Sequence, residues 1–272
     1  MKTTINLTLV QMTSSHDVDA NLADISQRLD KADLTRTDIL ILPEMFIQFG
    51  ETERARQYRE SADFNGRAGQ CIRDWARQYN IWIVAGTVPV LDSAAEKPYA
   101  RCVVIDSAGE LVVHYDKIHL FDATVSDAQG RYRESDSYDA GQQPIVFDSP
   151  WGKLGLAVCY DLRFPELFRA LNDQGAQLVL VPSAFTAKTG AAHWEVLCRA
   201  RAIENGYFLV AVNQCGRHDE KRTTWGHSMV VDPWGVVTDV GEQPTVKTLT
   251  LNLTQVDQVR QQLPVNAHRR LR

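Results

Sequence analysis

Five side chains combine a reactive or charged group with a placement that would expose it. Cys159 stands in AVCYDLRFPEL, Glu44 in ILILPEMF, Lys117 in HYDKIHLFD and Glu134 in YRESDSYDAG, and Arg163 follows four residues after Cys159. The first four segments share a form, a strand edge that delivers a reactive side chain. A thiol at the end of a strand, with a helix opening at Pro165, would sit at the rim of a sheet. There the first unpaired backbone N–H groups of the next segment point into the same space. Such a thiol can attack a carbonyl carbon while the Tyr160 N–H helps hold the oxyanion. Against this, a cysteine is most often a small buried apolar residue; the polar Asp161 and Arg163 just behind it weigh towards chemistry.

A thiol with a pKa of about 8.5 needs a base or a positive neighbour. His119, His193 and His227 are candidate bases, each also readable as a structural or surface histidine. Glu44 is a rival. It follows an apolar strand and a proline, and a carboxylate at so dry an edge would have a raised pKa and accept a thiol proton. Lys117 would polarise a carbonyl oxygen and stabilise a thiolate; the alternative is a solvated strand-edge lysine. The Arg163 guanidinium is suited to a bidentate grip on a substrate carboxylate, or else pairs with Asp161 or Glu166. His114 and His119 are poorly spaced as metal ligands, so no metal is expected. Arg199, Arg201 and Glu204 read as a structural ion-pair face, and Trp194 as core or interface.

The elements that must position these groups follow from apolar patterning. Strands are expected at Ile5–Met12, Asp38–Leu42, Ile81–Ala85, Arg101–Asp106, Leu111–Tyr115, Leu154–Val158, Gln177–Val181 and Tyr207–Val212. A hairpin is expected in HSMVVDPWGVVTDV, turning at Asp232-Pro233-Trp234-Gly235. Helices are expected at about Val18–Leu34, Arg67–Tyr79, Pro165–Asp173 and Ala191–Glu204. The first carries Leu22, Ile25, Leu29 and Ala32 on one face, and the last ends at Asn205-Gly206, a left-handed cap. Strands alternate with helices and hairpins are interspersed, which predicts an α/β fold with mixed sheets covered by helices. There is no linker, low-complexity tract or repeat, so the reading is a single domain.

Composition narrows the function classes. Of 272 residues, 44% are hydrophobic and 23% charged, enough for a sizeable core. The net charge of −5 and pI of about 5.8, with Lys and Arg scattered, exclude a nucleic-acid or membrane surface as an expectation. The N-terminus alternates like a strand and lacks a signal-peptide h-region, and no apolar run approaches the ~20 residues of a membrane helix. Five cysteines, an odd number without a C-x-x-C pair, point to a reducing, cytoplasmic setting.

Glu44 in LPE, Lys117 in DKIHLFD and Cys159 in VCYDLRFPEL, in that order, resemble the Glu–Lys–Cys signature of the nitrilase (carbon–nitrogen hydrolase) superfamily. The resemblance covers essentially the whole chain. PSAFTAKTGAAHWEVLCRARAIEN and NQCGRHDEKRTTWGHSMVVDPWG are similar to the branch of deaminated glutathione amidases and omega-amidases. It implies a nitrilase-like four-layer α-β-β-α sandwich with two mixed sheets, over a domain of residues 1–272 with a C-terminal tail from about 253, usually dimerised. It assigns Cys159 as nucleophile, Glu44 as general base, Lys117 as oxyanion stabiliser and Glu134 as a supporting glutamate. Arg163 and a threonine matching Thr189 would take the far carboxylate of a 2-oxo acid amide. The implied reaction is amide hydrolysis through a thioester, which needs no metal or organic cofactor. GRHDEKRTTWGHSMVVDPWG and the tail LPVNAHRR look closer to deaminated glutathione amidase, whose leaving group would be cysteinylglycine and whose acyl product 2-oxoglutarate. For an omega-amidase acting on 2-oxoglutaramate or 2-oxosuccinamate the leaving group is ammonia. Three readings stand beside it: omega-amidase, nitrilase or N-carbamoyl amino acid hydrolase, and a catalytically silent scaffold. The expected partners are a small-molecule amide and a second copy of the chain.

Overall fold

The computed structural model describes residues 2–50, 58–92 and 96–271. Two six-stranded mixed sheets lie face to face. The first takes β16 (Thr245–Asn252), β1 (Thr4–Gln11), β2 (Ile39–Ile41), β3 (Trp82–Val90), β4 (Tyr99–Ile105) and β5 (Leu111–Asp116) in that spatial order. The second takes β15 (Val237–Asp239), β14 (Met229–Val231), β11 (Phe208–Asn213), β10 (Leu178–Ser183), β9 (Gly152–Leu156) and β8 (Ile145–Ser149). Two small hairpins, β6 (Asp122–Thr124) with β7 (Arg131–Arg133) and β12 (Cys215–Arg217) with β13 (Thr223–Trp225), stand apart from them.

Strand periodicity sorts the side chains. On β1 and β2, Leu7, Leu9, Ile39 and Ile41 face the second sheet, while Val10 and Leu40 face outward. The outward set is covered by α1 (Val18–Lys31) and α2 (Arg67–Tyr79), whose Leu22, Ile25, Leu29, Ile72 and Trp75 are buried against it. The second sheet is covered on its far side by α3 (Pro165–Asp173) and α4 (Ala187–Asn205). Every residue of β10 and β11 is buried, which is why both read as apolar runs up to their polar last residues, Ser183 and Asn213. The result is the expected four-layer α-β-β-α order.

The differences from expectation have local causes. β16 and β8 are edge strands with only one buried residue each, Leu251 and Phe147, so their apolar signal is weak. β3 runs on to Val90 through a bulge between Ala85 and Val88 that Gly86 and Pro89 obscure. α4 starts at Ala187, capped by the Thr186 side chain, because Thr189 and Gly190 sit in a turn that propensity alone would not make helical. Trp194 is fully buried core. Beyond residue 253, α5 (Thr254–Gln262) docks through buried Val256, and Arg260 donates to the carbonyls of Gly206 and Ala176. A short α6 (Val265–His268) follows.

Candidate active site

The chain leaves β9, runs extended through Ala157 and Val158, and turns at Cys159 with φ +47° into a 3-10 turn, Cys159–Arg163, that leads to α3. A left-handed cysteine is strained and persists only where its surroundings hold it. Asp161 does the holding. Fully buried, its carboxylate accepts from the Val158 N–H (2.8 Å), the Tyr115 hydroxyl (2.7 Å) and the His119 N–H (3.1 Å), and lies 2.6 Å from His119 Nδ1. One acid thus ties the cysteine turn to the segment that carries Lys117. The alternative pairing of Arg163 with Asp161 does not form. Instead the Arg163 guanidinium lies over the Tyr160 and Phe185 rings, at 5.7 and 5.4 Å, and 3.2 Å from His193 Nδ1. Arg201, also buried, donates to the Leu162 carbonyl and braces the same turn from α4.

Glu44 follows β2 at the adjacent rim. Its loop fits because β3 carries Gly86 at the bulge: a Cβ there would meet the Pro43 carbonyl oxygen at 1.8 Å. Gln214 donates to the Glu44 carbonyl (3.0 Å) from the other sheet, and the Thr87 hydroxyl accepts from the Met45 N–H. Lys117, just past β5, is fixed in the same manner. Its carbonyl accepts from the Gly141 N–H (2.9 Å), and a Cβ at Gly141 would lie 2.0 Å from the Asp116 carbonyl oxygen.

The side chains meet. Lys117 Nζ lies 2.7 Å from Glu44 Oε1 and 2.8 Å from Glu134 Oε2; Lys117 and Glu44 are buried and Glu134 is partly so. Glu134 also accepts from the Phe121 N–H at 2.7 Å. The Cys159 thiol is hydrogen-bonded to the Glu44 carboxylate and to the Ala184 backbone. Burial disfavours the Lys117 ammonium, but Glu134 and Glu44 outweigh it and its pKa rises well above the usual lysine value. Burial raises the Glu134 carboxyl, with Lys117 opposing and Glu44 adding. Burial and the Glu44 charge push the Cys159 thiol well up, with Lys117 pulling the other way. The resting thiol is therefore neutral and must give up its proton as it attacks, and Glu44 is the carboxylate in contact with it. The three candidate histidines face elsewhere: His119 to Asp161, His193 to Arg163 and His227 to Asp239. The Tyr160 N–H donates to no acceptor among the described residues, which leaves it available at the turn.

Residues 6–261 match the family model for carbon-nitrogen hydrolases. The chain belongs to this family. It is 42% identical over 271 residues to the deaminated glutathione amidase of Yersinia enterocolitica, covering 97% of this chain and 93% of that protein. It superposes on the Caenorhabditis elegans NitFhit protein with a TM-score of 0.88 at 37% identity, over 99% of this chain and 66% of that one. On Saccharomyces cerevisiae Nit3, a member of branch 10 of the nitrilase superfamily, the TM-score is 0.87 at 29% identity, over 100% and 98%. The nitrilase fold and the enzyme class expected from the motifs are thereby shown: the protein is a hydrolase of carbon–nitrogen bonds.

In this carbon-nitrogen hydrolase, Glu44, Lys117, Glu134 and Cys159 line one cavity of about 780 Å³. Tyr160, Arg163 and Thr189 do not line it, though each adjoins a residue that does: Cys159 and Phe121 beside Tyr160, Ala184 beside the Phe185 ring under Arg163, and Thr186 bonded to Thr189. Among the described residues the wall also carries cations that sequence reasoning missed, Arg59, Lys97, Arg131, Arg133 and Arg222, together with Glu96 and Asp136. The signal was present in the alternation Arg131-Tyr132-Arg133 on β7, but nothing in the sequence says that this hairpin leans over the cysteine. Among the described residues, no three His, Cys, Asp or Glu side chains are grouped to hold a metal ion, and no helix is long and apolar enough to cross a membrane.

Proposed function

We propose that this hydrolase cleaves the amide of deaminated glutathione through a thioester on Cys159. The observation that carries the reading is the buried cluster itself, one thiol, two carboxylates and one ammonium on the floor of a single cavity. As the sulfur attacks the amide carbon, its proton passes to Glu44. Lys117 and the Tyr160 N–H stabilise the tetrahedral oxyanion. The carbon–nitrogen bond then breaks, Glu44 returns the proton to the departing nitrogen, and cysteinylglycine leaves. Water gives a proton to Glu44 and its oxygen to the acyl carbon. The carbon–sulfur bond breaks, 2-oxoglutarate departs and the thiol regains its proton. Glu134 keeps Lys117 charged and, through the Phe121 N–H, in place.

The relatives named deaminated glutathione amidase at about 40% identity over nearly the whole chain support this substrate, as does a cavity larger than a five-carbon keto acid amide requires. We assign the far carboxylate of the acyl group to the N-terminal end of α4, where Thr186 lines the cavity and Thr189 and Arg163 stand behind it. The test compares turnover of deaminated glutathione with that of 2-oxoglutaramate, with Cys159→Ala as the blank. Ammonia release from 2-oxoglutaramate alone would make the protein an omega-amidase. Activity on nitriles or N-carbamoyl amino acids alone would move it elsewhere in the superfamily. A Cys159 no more reactive than the other cysteines towards a thiol reagent would favour a silent scaffold.

A homodimer belongs to the same proposal. Ile203, Trp234, Leu263 and Val265 line a second, apolar cavity of about 330 Å³ on the outer helical face, where Trp234 is 59% and Leu263 50% exposed. A second copy of the chain would cover it, and Trp234→Glu should then shift the sedimentation coefficient to that of a monomer. All five cysteines are free, in keeping with a reducing compartment such as the cytoplasm, which localisation of the tagged protein would check.

A further inference from the structure

We propose that Thr224 forms a specificity contact for the leaving group, its hydroxyl oxygen accepting the peptide N–H of cysteinylglycine, and that His218 is the residue that positions it. The proposal rests on the deaminated glutathione reading above and deepens it.

Thr224 lines the cavity from β13. The N–H of the next residue, Trp225, donates to the Phe185 carbonyl (3.0 Å), beside Ala184, whose backbone is hydrogen-bonded to the Cys159 thiol. Thr224 thus stands close to the reacting atoms. Its hydroxyl lies 2.7 Å from His218 Nε2, and His218 Nδ1 lies 2.8 Å from the Ser14 carbonyl. Valence then places the hydrogens. A carbonyl oxygen only accepts, so Nδ1 carries a proton. Burial lowers the His218 pKa; the Ser14 carbonyl and Asp219 oppose it and Arg222 adds to it, so the ring is neutral and Nε2 is bare. The Thr224 hydroxyl must donate to that nitrogen. With its one hydrogen committed, the oxygen has only lone pairs to offer the cavity.

His218 is itself held in place. The Phe49 ring, which also lines the cavity, packs on the imidazole with centroids 4.1 Å apart. The Ser14 N–H donates to the Gln214 side chain (3.1 Å), whose amide donates in turn to the Ser14 hydroxyl (2.7 Å) and to the Glu44 carbonyl (3.0 Å). A chain of polar contacts therefore runs from Thr224 through His218, Ser14 and Gln214 to the backbone of the general base. The Thr224 hydroxyl is directed along it, away from the α4 end of the cavity and towards the side from which the amine departs.

An acceptor there selects a donor. The acyl half of the substrate, a ketone and an ionised carboxylate, has none. The scissile nitrogen is served by Glu44. The remaining amide donor is the N–H between cysteine and glycine, one residue or about 3.5 Å further on.

The test uses two substrates with the same acyl group: deaminated glutathione and its depsipeptide analogue, in which an ester oxygen replaces that N–H. Release of 2-oxoglutarate is measured for both. The wild-type enzyme should prefer the amide by about fivefold or more in kcat/KM, because the ester turns one hydrogen bond into two facing acceptors. Thr224→Val should bring the ratio close to one, mainly by raising KM for the amide, and Thr224→Ser should keep the preference. His218→Phe retains a ring against Phe49 but releases the Thr224 hydrogen, so the ratio should shrink with Thr224 still present. Equal turnover of the two substrates by the wild type, or Thr224→Val and His218→Phe variants that lower both in proportion, would overturn the contact and leave the amidase reading standing. Turnover of neither substrate by the wild type would overturn the substrate reading as well.

Discussion

Glu44, Lys117 and Cys159, on the cavity floor, are 3%, 2% and 8% exposed and fastened by hydrogen bonds from both sheets, whereas Arg59, Arg131 and Arg133 at its mouth stand exposed on loops and a two-strand hairpin. The floor is assembled from strand ends of two sheets whose packing leaves each group one position. The mouth belongs to segments outside both sheets, joined by contacts such as Gln129 to Arg222. The contrast separates two tasks. Transition-state chemistry needs groups held within a fraction of an ångström, and only a packed core supplies that. Contacts at a cavity mouth tolerate a looser scaffold, and that scaffold can change without disturbing the floor.

The contrast can be broken by substitutions on the floor. Removing the nucleophile should be the most severe: Cys159→Ala should lower kcat on the order of 10⁴-fold or more while folding normally. Residual turnover within a hundredfold of wild type in a stopped assay would reject a covalent route. Lys117→Ala should cost about 10²–10³-fold in kcat through the lost oxyanion partner. It also leaves Glu44 and Glu134 buried together, and urea unfolding should show a loss on the order of 3–5 kcal/mol. Asp161→Ala comes next. It orphans the Val158 and His119 N–H groups and the Tyr115 hydroxyl, for roughly 3 kcal/mol of stability. Because Asp161 does not line the cavity, kcat should fall far more than KM changes.

The smallest effect sharpens the picture. Burial raises the Glu134 carboxyl above its ordinary value of 4.5, so on acidification it takes up a proton before an ordinary glutamate would. Protonation removes one of the two negative charges that hold the Lys117 ammonium. The acid limb of the kcat/KM profile should therefore fall above pH 4.5, and Glu134→Gln should remove that ionisation from the profile at reduced overall activity. An acid limb unmoved by the substitution would assign the ionisation to another group.

Much of the architecture was legible because burial on both faces leaves a strong mark. β10 and β11 are apolar up to their last residues, Ser183 and Asn213, and α1 and α3 announce themselves by periodicity and caps. The edge strands β8 and β16 were not legible, since an edge strand with one buried residue looks like a loop. The floor could be named because Glu44 and Cys159 stand just past apolar strands and because LPE, DKIHLFD and VCYDLRFPEL, in that order, resemble a family signature. The partners of those groups could not. Asp161 stands two residues from Arg163 yet bonds Tyr115 and His119, more than forty positions away. Its lone pairs are filled by donors that only the packing of β5 against the cysteine turn brings within reach.

By itself, then, the sequence determined which residue types end which strands, and hence that a thiol, a carboxylate and an ammonium would stand at sheet rims. Only the tertiary structure decided that these rims coincide, that Lys117 sits between two carboxylates, and that the mouth above them is lined by arginines from the β6–β7 hairpin and the loop before β13. The reason is one of range. Strand and helix patterns are set by neighbours a few positions away, whereas the field at the sulfur is summed over charges brought together from segments as much as 115 residues apart, the separation of Glu44 and Cys159 (159 − 44).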